Sequence, residues 1–267
     1  MRALIAGAGR LPVYLAERAE RLGEPVVIAE MRGFPSEVPD RFERLPFRIE
    51  RLGDFFEALK ERGVQEIVTA GAVRRPAFDP AALDRYTAAI AADYVTATQG
   101  GDDQLARMVL GLMVKEGFTP TPAHVAAPEL LPPAGCPTRR QPEARDETDA
   151  VRALAILDAL GPVDTSQAVV VAAGQALGIE ALPGTDHLLA ALAEAEGMPK
   201  GGLLLKAPKS GQDARIDWPV IGTRTVEGAR AAGLNGIAVA HGGVMIIDPD
   251  AVVAAADDAN LFLWIRE

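Results

Sequence analysis

The stretch RALIAGAGRLPVYLAERAERLG, residues 2–23, decides the class of fold. It begins with the apolar segment RALIA, typical of a buried strand, and the glycine-containing turn of residues 7–10 follows. A helix is predicted over residues 12–21, with Pro12 in its first turn and Gly23 just past its end. A strand, a tight turn and a helix in this order indicate the first unit of a parallel sheet covered by helices.

The alternation continues through the first half of the chain. Strands are predicted over residues 25–30 and 66–70, and helices over residues 54–62 and 104–116. Asp102 is a good N-cap for the last helix, or it orients a ribose hydroxyl or a metal-bound water. We therefore expect an N-terminal α/β domain, residues 1–129, with a mainly parallel, Rossmann-like sheet.

A proline-rich segment separates the two halves. Residues 127–145 contain five prolines, so we predict a linker over residues 130–145 and a second α/β domain over residues 146–267. The elements predicted there are helices at 148–160, 187–196 and 226–232, strands at 203–206 and 261–265, and hairpins at Gly174-Gln175 and Gly242-Gly243. Because hairpins pair strands antiparallel, the second sheet should be mixed.

Composition narrows the classes of function. The 267 residues carry a net charge of −10, which argues against a general nucleic-acid binder. The single cysteine, Cys136, excludes an internal disulfide. No signal peptide or membrane-spanning segment is predicted, so we expect a cytoplasmic protein that is at most peripheral on a membrane.

Two loops that follow predicted parallel strands are candidate ligand contacts. The turn that holds Gly9 and Arg10 has Pro12 in place of the third glycine of a dinucleotide motif, so no NAD site is predicted. The turn still suits a nucleotide or phosphate, or a purely structural role. The loop that holds Gly71 and Arg75 should neighbour it, and its arginines suit phosphates or a carboxylate, or else surface salt bridges.

The second half contains the most charged of these loops. The stretch LLLKAPKSGQDARIDWPVIGTRT, residues 203–225, opens as a buried strand, continues through Lys206, Lys209, Arg215 and Asp217, and ends at the start of a helix. Cations and a carboxylate at such a position suit a phosphorylated substrate and a metal. The alternative is a solvated, charged loop.

A loop upstream adds hard oxygen ligands. Glu180 and Asp186 flank the segment that includes Gly184 and Thr185, and Mg²⁺ binds such carboxylates alongside substrate phosphates. Alternatively, Thr185 or Asp186 only caps the next helix. The chain has no nucleophile-elbow, P-loop or zinc motif, so the chemistry best served is metal-assisted attack of water on a phosphoryl group.

Several segments, in order and over nearly the whole chain, resemble the UDP-2,3-diacylglucosamine pyrophosphatases of the LpxI type, which act in bacterial lipid A synthesis. The matching segments are GAGRLPVYL (residues 7–15), AGAVRRPAF (70–78), GDDQLARMVL (101–110), GQALGIEALPGTD (174–186), KAPKSGQDARIDWPVIGT (206–223) and AAADDANLFL (254–263). The departures are mild: GAGR stands where relatives often have three glycines, and Arg74 stands where a smaller polar residue is expected.

The resemblance implies hydrolysis of the pyrophosphate of UDP-2,3-diacylglucosamine to 2,3-diacylglucosamine 1-phosphate (lipid X) and UMP, with water attacking the α-phosphorus. It also implies a divalent metal, Mg²⁺ or another hard cation such as Mn²⁺, and a substrate cleft between the two domains. An essential aspartate of the family falls on Asp217, with Arg215 at the basic position before it.

We therefore expect a catalytic C-terminal domain in which Asp217 binds the metal or positions water, with Glu180 and Asp186 as further metal ligands. The candidate substrate-binding residues are Gly9, Arg10, Gly71, Arg75, Asp102, Gln175, Gly184, Thr185, Lys206, Lys209, Arg215 and Thr223. The expected partners are the substrate, transiently the cytoplasmic face of the inner membrane, and a second copy in a homodimer. The alternative functions are non-catalytic binding of a nucleotide sugar or acylated sugar phosphate, and oxidation or reduction of a nucleotide sugar.

Overall fold

The described part of the chain divides into two compact α/β units, each built on a five-stranded sheet. The computed structural model describes residues 1–73, 79–99, 102–209, 215 and 218–267, without the side chains of Asp102 and Asp103. The first unit comprises Met1–Pro128 together with Arg215, and the second comprises the other described residues. One sheet is parallel and the other is mixed, which confirms the predicted fold class.

The first unit alternates strands and helices from its first residues. Its elements are β1 Arg2–Ala6, α1 Arg10–Leu22, β2 Val26–Met31, β3 Arg44–Phe47, α2 Leu52–Glu61, β4 Glu66–Ala70, α3 Arg85–Gln99, α4 Asp102–Lys115, β5 Thr119–Pro120 and α5 Ala123–Ala126. The strand order is β3-β2-β1-β4-β5, with parallel pairing throughout. The direction of winding therefore reverses between β1 and β4, which places a topological switch point there.

Apolar residues on both faces of the central strands explain why this sheet is buried. Ala3 of β1 belongs to a core cluster with Phe55 of α2 and Met113 of α4. The next residue, Leu4, is only 2% exposed on the opposite face. Near-continuous apolar strands of this kind are typical of parallel sheets covered on both faces.

Four elements of the first unit were not predicted: β3, α3, β5 and α5. Strand β3 contains Pro46, which cannot donate to a ladder and is tolerated at this sheet edge. Helix α3 buries only Thr87 and Ala97, so the sequence lacks the apolar stripe by which amphipathic helices are recognised. Helix α4 begins at Asp102 itself, one position earlier than an N-cap role for Asp102 would require.

The second unit surrounds a mixed sheet. Its elements are α6 Ala144–Leu160, β6 Ala168–Ala172, β7 Gln175–Ile179, α7 Thr185–Glu194, β8 Leu203–Lys206, β9 Val220–Ile221, α8 Thr223–Ala231, β10 Gly236–Ala240, β11 Met245–Ile246, α9 Pro249–Asp258 and β12 Phe262–Arg266. The strand order is β12-β10-β8-β6-β7, and β6 runs antiparallel to both of its neighbours. Helix α6 packs on one face, and α7, α8 and α9 pack on the other.

The first predicted hairpin is confirmed, with its turn one residue earlier than expected. Ala173 and Gly174 form the turn with φ values of 55° and 75°, and Ala172 pairs with Gln175. The buried carboxylate of Asp149 accepts the N–H groups of both turn residues, at 3.0 and 2.7 Å. These two hydrogen bonds offset the cost of a left-handed conformation at an alanine.

The second predicted hairpin, at Gly242 and Gly243, is wrong. Strand β10 before these glycines pairs with β8 and β12, and β11 after them pairs in parallel with β9 in a separate two-stranded sheet. The glycines therefore connect two different sheets.

Among the described helices, none is long and apolar enough to cross a membrane.

Segment 133–138 covers the edge of the second sheet. Gly135 exchanges hydrogen bonds with Ile265 of β12 at 2.9 and 2.8 Å, and the buried hydroxyl of Thr138 accepts from the N–H of Leu263 at 2.9 Å. A covered edge strand is protected from pairing with other chains.

Candidate active site

The loops that follow β1 and β4 lie against each other, as their positions after parallel strands predicted. The N–H of Ala8 donates to the carbonyl oxygen of Ala72 at 2.9 Å, and the reverse bond measures 3.0 Å. Because each of these N–H groups already donates to the carbonyl oxygen of the other residue, a ligand at this edge of the sheet must be recognised by other groups. Gly9 precedes α1 in open space, and Arg10 opens the helix with an ion pair to Glu17 at 3.1 Å.

We expect Gly71→Ala to destabilise the first unit by about 2–4 kcal/mol. The alanine would have to adopt a left-handed conformation, and its Cβ atom would also clash with the backbone, so the two costs add. Gly71 has φ of +84°, and a Cβ atom there would lie 2.6 Å from the carbonyl oxygen of Ala8. Gly111 of α4 is the matched control, because a Cβ there meets nothing within 4 Å. Gly111→Ala should stabilise by about 0.5–1 kcal/mol in the same urea titration. Equal effects of the two substitutions would contradict the close contact of the two loops.

Glu50 holds the chain just after the loop that contains Arg75. Its side-chain carboxylate accepts the N–H of Asp79 at 3.2 Å, and its backbone carbonyl accepts the N–H of Asp84 at 2.9 Å. Burial favours a higher pKa for Glu50, but hydrogen bonds from Arg48 and from the N–H of Asp79 outweigh it and leave the pKa below its ordinary value. The ionised carboxylate therefore fixes the backbone on this side of the loop.

Three of the predicted site residues fall wholly or partly outside the described part of the chain. Arg75 and Asp217 lie outside the described residues, and so does the side chain of Asp102. Arg215 is exposed, and its carbonyl oxygen accepts from the hydroxyl of Thr69 in β4 at 3.4 Å. Arg215 follows β8 in the sequence yet groups with the first unit.

Three polar side chains, two of them buried and one half-buried, meet at the carboxyl end of β8. Lys206 is the last residue of that strand, Thr185 is the first residue of α7, and Glu180 follows β7. The Nζ of Lys206 donates to the Oγ1 of Thr185 at 2.8 Å, and this hydroxyl donates to the Oε1 of Glu180 at 2.5 Å. The second carboxylate oxygen accepts the backbone N–H of Gln167 at 3.1 Å. We call Glu180, Thr185 and Lys206 the lysine cluster.

Topology explains why the lysine cluster forms. Strand β6 lies between β7 and β8 and runs against both, so β7 and β8 end at the same edge of the sheet. The start of β6 joins them, because Ala168 accepts from the N–H of Glu180 at 2.9 Å and Gln167 accepts from the N–H of Ala207 at 3.0 Å. Residues 26 positions apart are thereby brought within hydrogen-bonding distance of the same hydroxyl.

Helices α7 and α8 begin side by side. Gly184 precedes α7 and Gly222 precedes α8, whose first residue is Thr223. The first turns are joined by an ion pair between Asp186 and Arg224 at 2.6 Å. Further along, a Cβ on Gly228 would lie 2.9 Å from the Cδ1 of Leu189, so a glycine is needed where the two helices pack. The two N-termini present partial positive charge and helical N–H groups, the arrangement that favours phosphates.

Lys209 lies at the start of the charged loop and has an acidic partner. Its Nζ contacts the Oδ1 of Asp164 at 2.8 Å and the carbonyl oxygen of Asp164 at 3.2 Å. Asp164 itself adopts a left-handed conformation, with φ of 52°. The pair ties the loop after β8 to the turn that precedes β6.

Two of the three predicted metal ligands, Glu180 and Asp186, have protein partners in the described residues. Glu180 accepts from Thr185 and Gln167, whereas the exposed Asp186 pairs with Arg224. Within the described ranges, no group of three or more His, Cys, Asp or Glu side chains is arranged to hold a metal ion. The set of Asp217, Glu180 and Asp186 as metal ligands stays a prediction, because Asp217 lies outside the described residues.

Gln175 is not brought to the lysine cluster. It is the first residue of β7, whereas Glu180 follows the last residue of that strand. The hairpin turn and the lysine cluster thus lie at opposite edges of the sheet.

Sequence reasoning missed three residues that contact predicted site residues. They are Gln167, Asp164 and Thr69, which contact Glu180, Lys209 and Arg215 respectively. Gln167 and Arg215 contribute backbone atoms, which no residue type can signal. Asp164 follows Gly161 and Pro162 in a turn, a position where aspartate ordinarily has a local role.

Comparison with known proteins covers both units. Residues 1–130 match the LpxI N-terminal domain, and residues 133–264 match the LpxI C-terminal domain. The chain is also similar to the UDP-2,3-diacylglucosamine pyrophosphatase LpxI of Caulobacter vibrioides. The two are 36% identical over 266 residues, which cover 97% of this chain and 95% of that protein. On this evidence the chain belongs to the LpxI family of enzymes.

Proposed function

We propose that the protein hydrolyses the pyrophosphate of UDP-2,3-diacylglucosamine to lipid X and UMP. One structural observation carries the proposal: a buried lysine at a strand end contacts the first residue of α7, and the first turn of α7 is joined to that of α8. A diphosphate carries several negative charges, and this arrangement offers it a cation and helical N–H groups. The family relationship supplies the substrate, since the relative from Caulobacter vibrioides is named for this activity.

In the proposed reaction, water attacks the α-phosphorus on the uridine side. A new P–O bond forms from the water, and the bond from the α-phosphorus to the bridging oxygen breaks, with its electron pair leaving on lipid X. Lys206 and the first turns of α7 and α8, including Thr223, would bind the diphosphate and stabilise charge on it. Lys209, which is paired with Asp164, and Arg215 are further candidates for contacts to the diphosphate.

A divalent cation, Mg²⁺ or Mn²⁺, is part of the proposal. Such a cation, when bound, offsets charge on the diphosphate and helps to activate water. Asp217 is the proposed protein ligand or the residue that positions the water. Glu180 and Asp186 are already engaged by other groups, so the proposal gives them no direct role toward the cation.

The experiment that tests the proposed function measures products directly. Purified protein is incubated with UDP-2,3-diacylglucosamine and Mg²⁺, and then with EDTA in excess. We expect equal amounts of UMP and lipid X with Mg²⁺ and loss of turnover with EDTA. Binding of the substrate without release of UMP would indicate a carrier instead of an enzyme.

We further propose that the turn between β7 and α7 meets the membrane from which the substrate comes. Leu182 in this turn is 97% exposed, and Ile179 just before Glu180 is 43% exposed. An apolar side chain of this kind gains free energy when it enters the interfacial region of a bilayer. The position of the turn, between Glu180 and Thr185, would bring such contact next to the lysine cluster.

Leu182→Asp should reduce turnover of substrate in phospholipid vesicles by about tenfold, because a charged side chain opposes insertion. The fraction of protein that sediments with the same vesicles should fall by a similar factor, and the melting temperature should stay unchanged. The matched control is Leu22→Asp, since Leu22 of α1 is also exposed, at 56%. If both substitutions leave vesicle binding at the wild-type level, the turn is not the membrane contact.

A further inference from the structure

The carboxylate of Glu180 is mostly buried and is held by hydrogen bonds on both of its oxygens. Its side chain is only 13% exposed. Both of its carboxylate oxygens accept hydrogen bonds, one from the hydroxyl of Thr185 at 2.5 Å and one from the backbone N–H of Gln167 at 3.1 Å. Hydrogen bonds to an ionised carboxylate are stronger than neutral ones, so this set holds the side chain in one orientation.

The hydroxyl of Thr185 has one proton and can donate only once. That proton is directed to Glu180, which leaves the oxygen to accept from Lys206 at 2.8 Å. The hydroxyl is therefore committed on both sides, and Thr185 would contact a substrate phosphate through its backbone N–H at the start of α7.

Lys206 is 8% exposed, and its Nζ lies 3.9 Å from the Oε1 of Glu180. A cation buried to this extent is costly unless an opposite charge and hydrogen bonds compensate it. Glu180 supplies the opposite charge, and Thr185 fixes the direction of one Nζ–H bond. The nearby ammonium also makes Glu180 unfavourable as a ligand for a second cation.

We infer that Glu180 is a positioning residue that acts through Thr185 and Lys206, and that it is not a metal ligand. The inference rests on the proposed function, because it assigns Lys206 to the diphosphate. Its consequence is that loss of Glu180 should impair use of the substrate without changing the requirement for metal.

The first arm of the test titrates Mg²⁺ against UMP release for the wild type, Glu180→Gln and Glu194→Gln. Glu194 is the control, an exposed carboxylate at the far end of α7. We expect Glu180→Gln to lower kcat/KM at least about tenfold with the half-saturating Mg²⁺ concentration unchanged, and Glu194→Gln to match the wild type. A rise in the half-saturating Mg²⁺ concentration for Glu180→Gln alone would make Glu180 a metal ligand and overturn the inference.

The second arm asks whether Glu180 acts through its two partners. Thr185→Ser keeps the hydroxyl and should retain kcat/KM within about threefold, whereas Thr185→Val should lose about as much as Glu180→Gln. In the background of Lys206→Met, adding Glu180→Gln should cause no further loss, because residues that act as a unit are not additive.

Outcomes separate the inference from the function on which it rests. If the wild type releases no UMP, the proposed function fails. If the wild type is active and Glu180→Gln has the same kcat/KM, the positioning role fails. It also fails if the kcat/KM of the double variant is reduced by the product of the two single losses. Circular dichroism and thermal unfolding of each variant identify any loss of activity that is due to misfolding, and Thr185→Ser then remains the decisive comparison with Thr185→Val.

Discussion

Asp217→Ala is expected to lower turnover of UDP-2,3-diacylglucosamine by at least about a thousandfold while substrate binding changes little. Asp217 is the proposed ligand of the cation, or the proposed residue for positioning water. Removing it should affect the transition state far more than the ground state. The measurement compares single-turnover rates of UMP release with substrate affinity from calorimetry.

Asp158→Asn is the matched control for this variant. Asp158 is exposed on α6, and its substitution also removes one negative charge. It should leave turnover within about twofold of the wild type. Near-normal turnover by Asp217→Ala would refute the proposed role of Asp217.

Lys206→Met is expected to lower kcat/KM by about 100-fold to 1,000-fold, the range observed when one donor to transition-state charge is removed. Methionine is similar to lysine in length but has no charge. The substitution therefore tests the role of the positive charge more than that of side-chain packing. The variant also leaves Glu180 buried without its opposite charge, and we expect a lower melting temperature.

Lys200→Met serves as the control for the second prediction. Lys200 is exposed shortly before β8, and its loss changes the net charge equally. Its kcat/KM should remain within about twofold of the wild type. If Lys206→Met retained normal kcat/KM, the buried cation would have no part in the reaction, and the diphosphate would have to bind elsewhere.

Local patterns were sufficient to predict most of the fold. The strand Arg2–Ala6, the helix that ends before Gly23 and the strand Leu203–Lys206 follow from apolar periodicity and from glycines past helix ends. The failures have physical causes. Gly242 and Gly243 look like a hairpin turn, but β11 pairs with β9, which lies on the other side of α8 and β10 in the sequence. Pairing between distant segments leaves no mark in a local window.

The candidate site was predictable as a set of residues but not as a set of contacts. Glu180, Thr185 and Lys206 were each selected for their position beside a strand end or helix start. That one hydroxyl joins the other two follows from the order β8-β6-β7, which no spacing in the sequence reveals. This contact is the basis for the inference that Glu180 orients a buried lysine.

The central claim is that water attacks the α-phosphorus of UDP-2,3-diacylglucosamine. Hydrolysis in water enriched in ¹⁸O, with Mg²⁺ present and with mass spectrometry of both products, tests it directly. We predict that the label enters UMP and that lipid X contains none. Label in lipid X, or substrate that is bound but never cleaved, would contradict the claim.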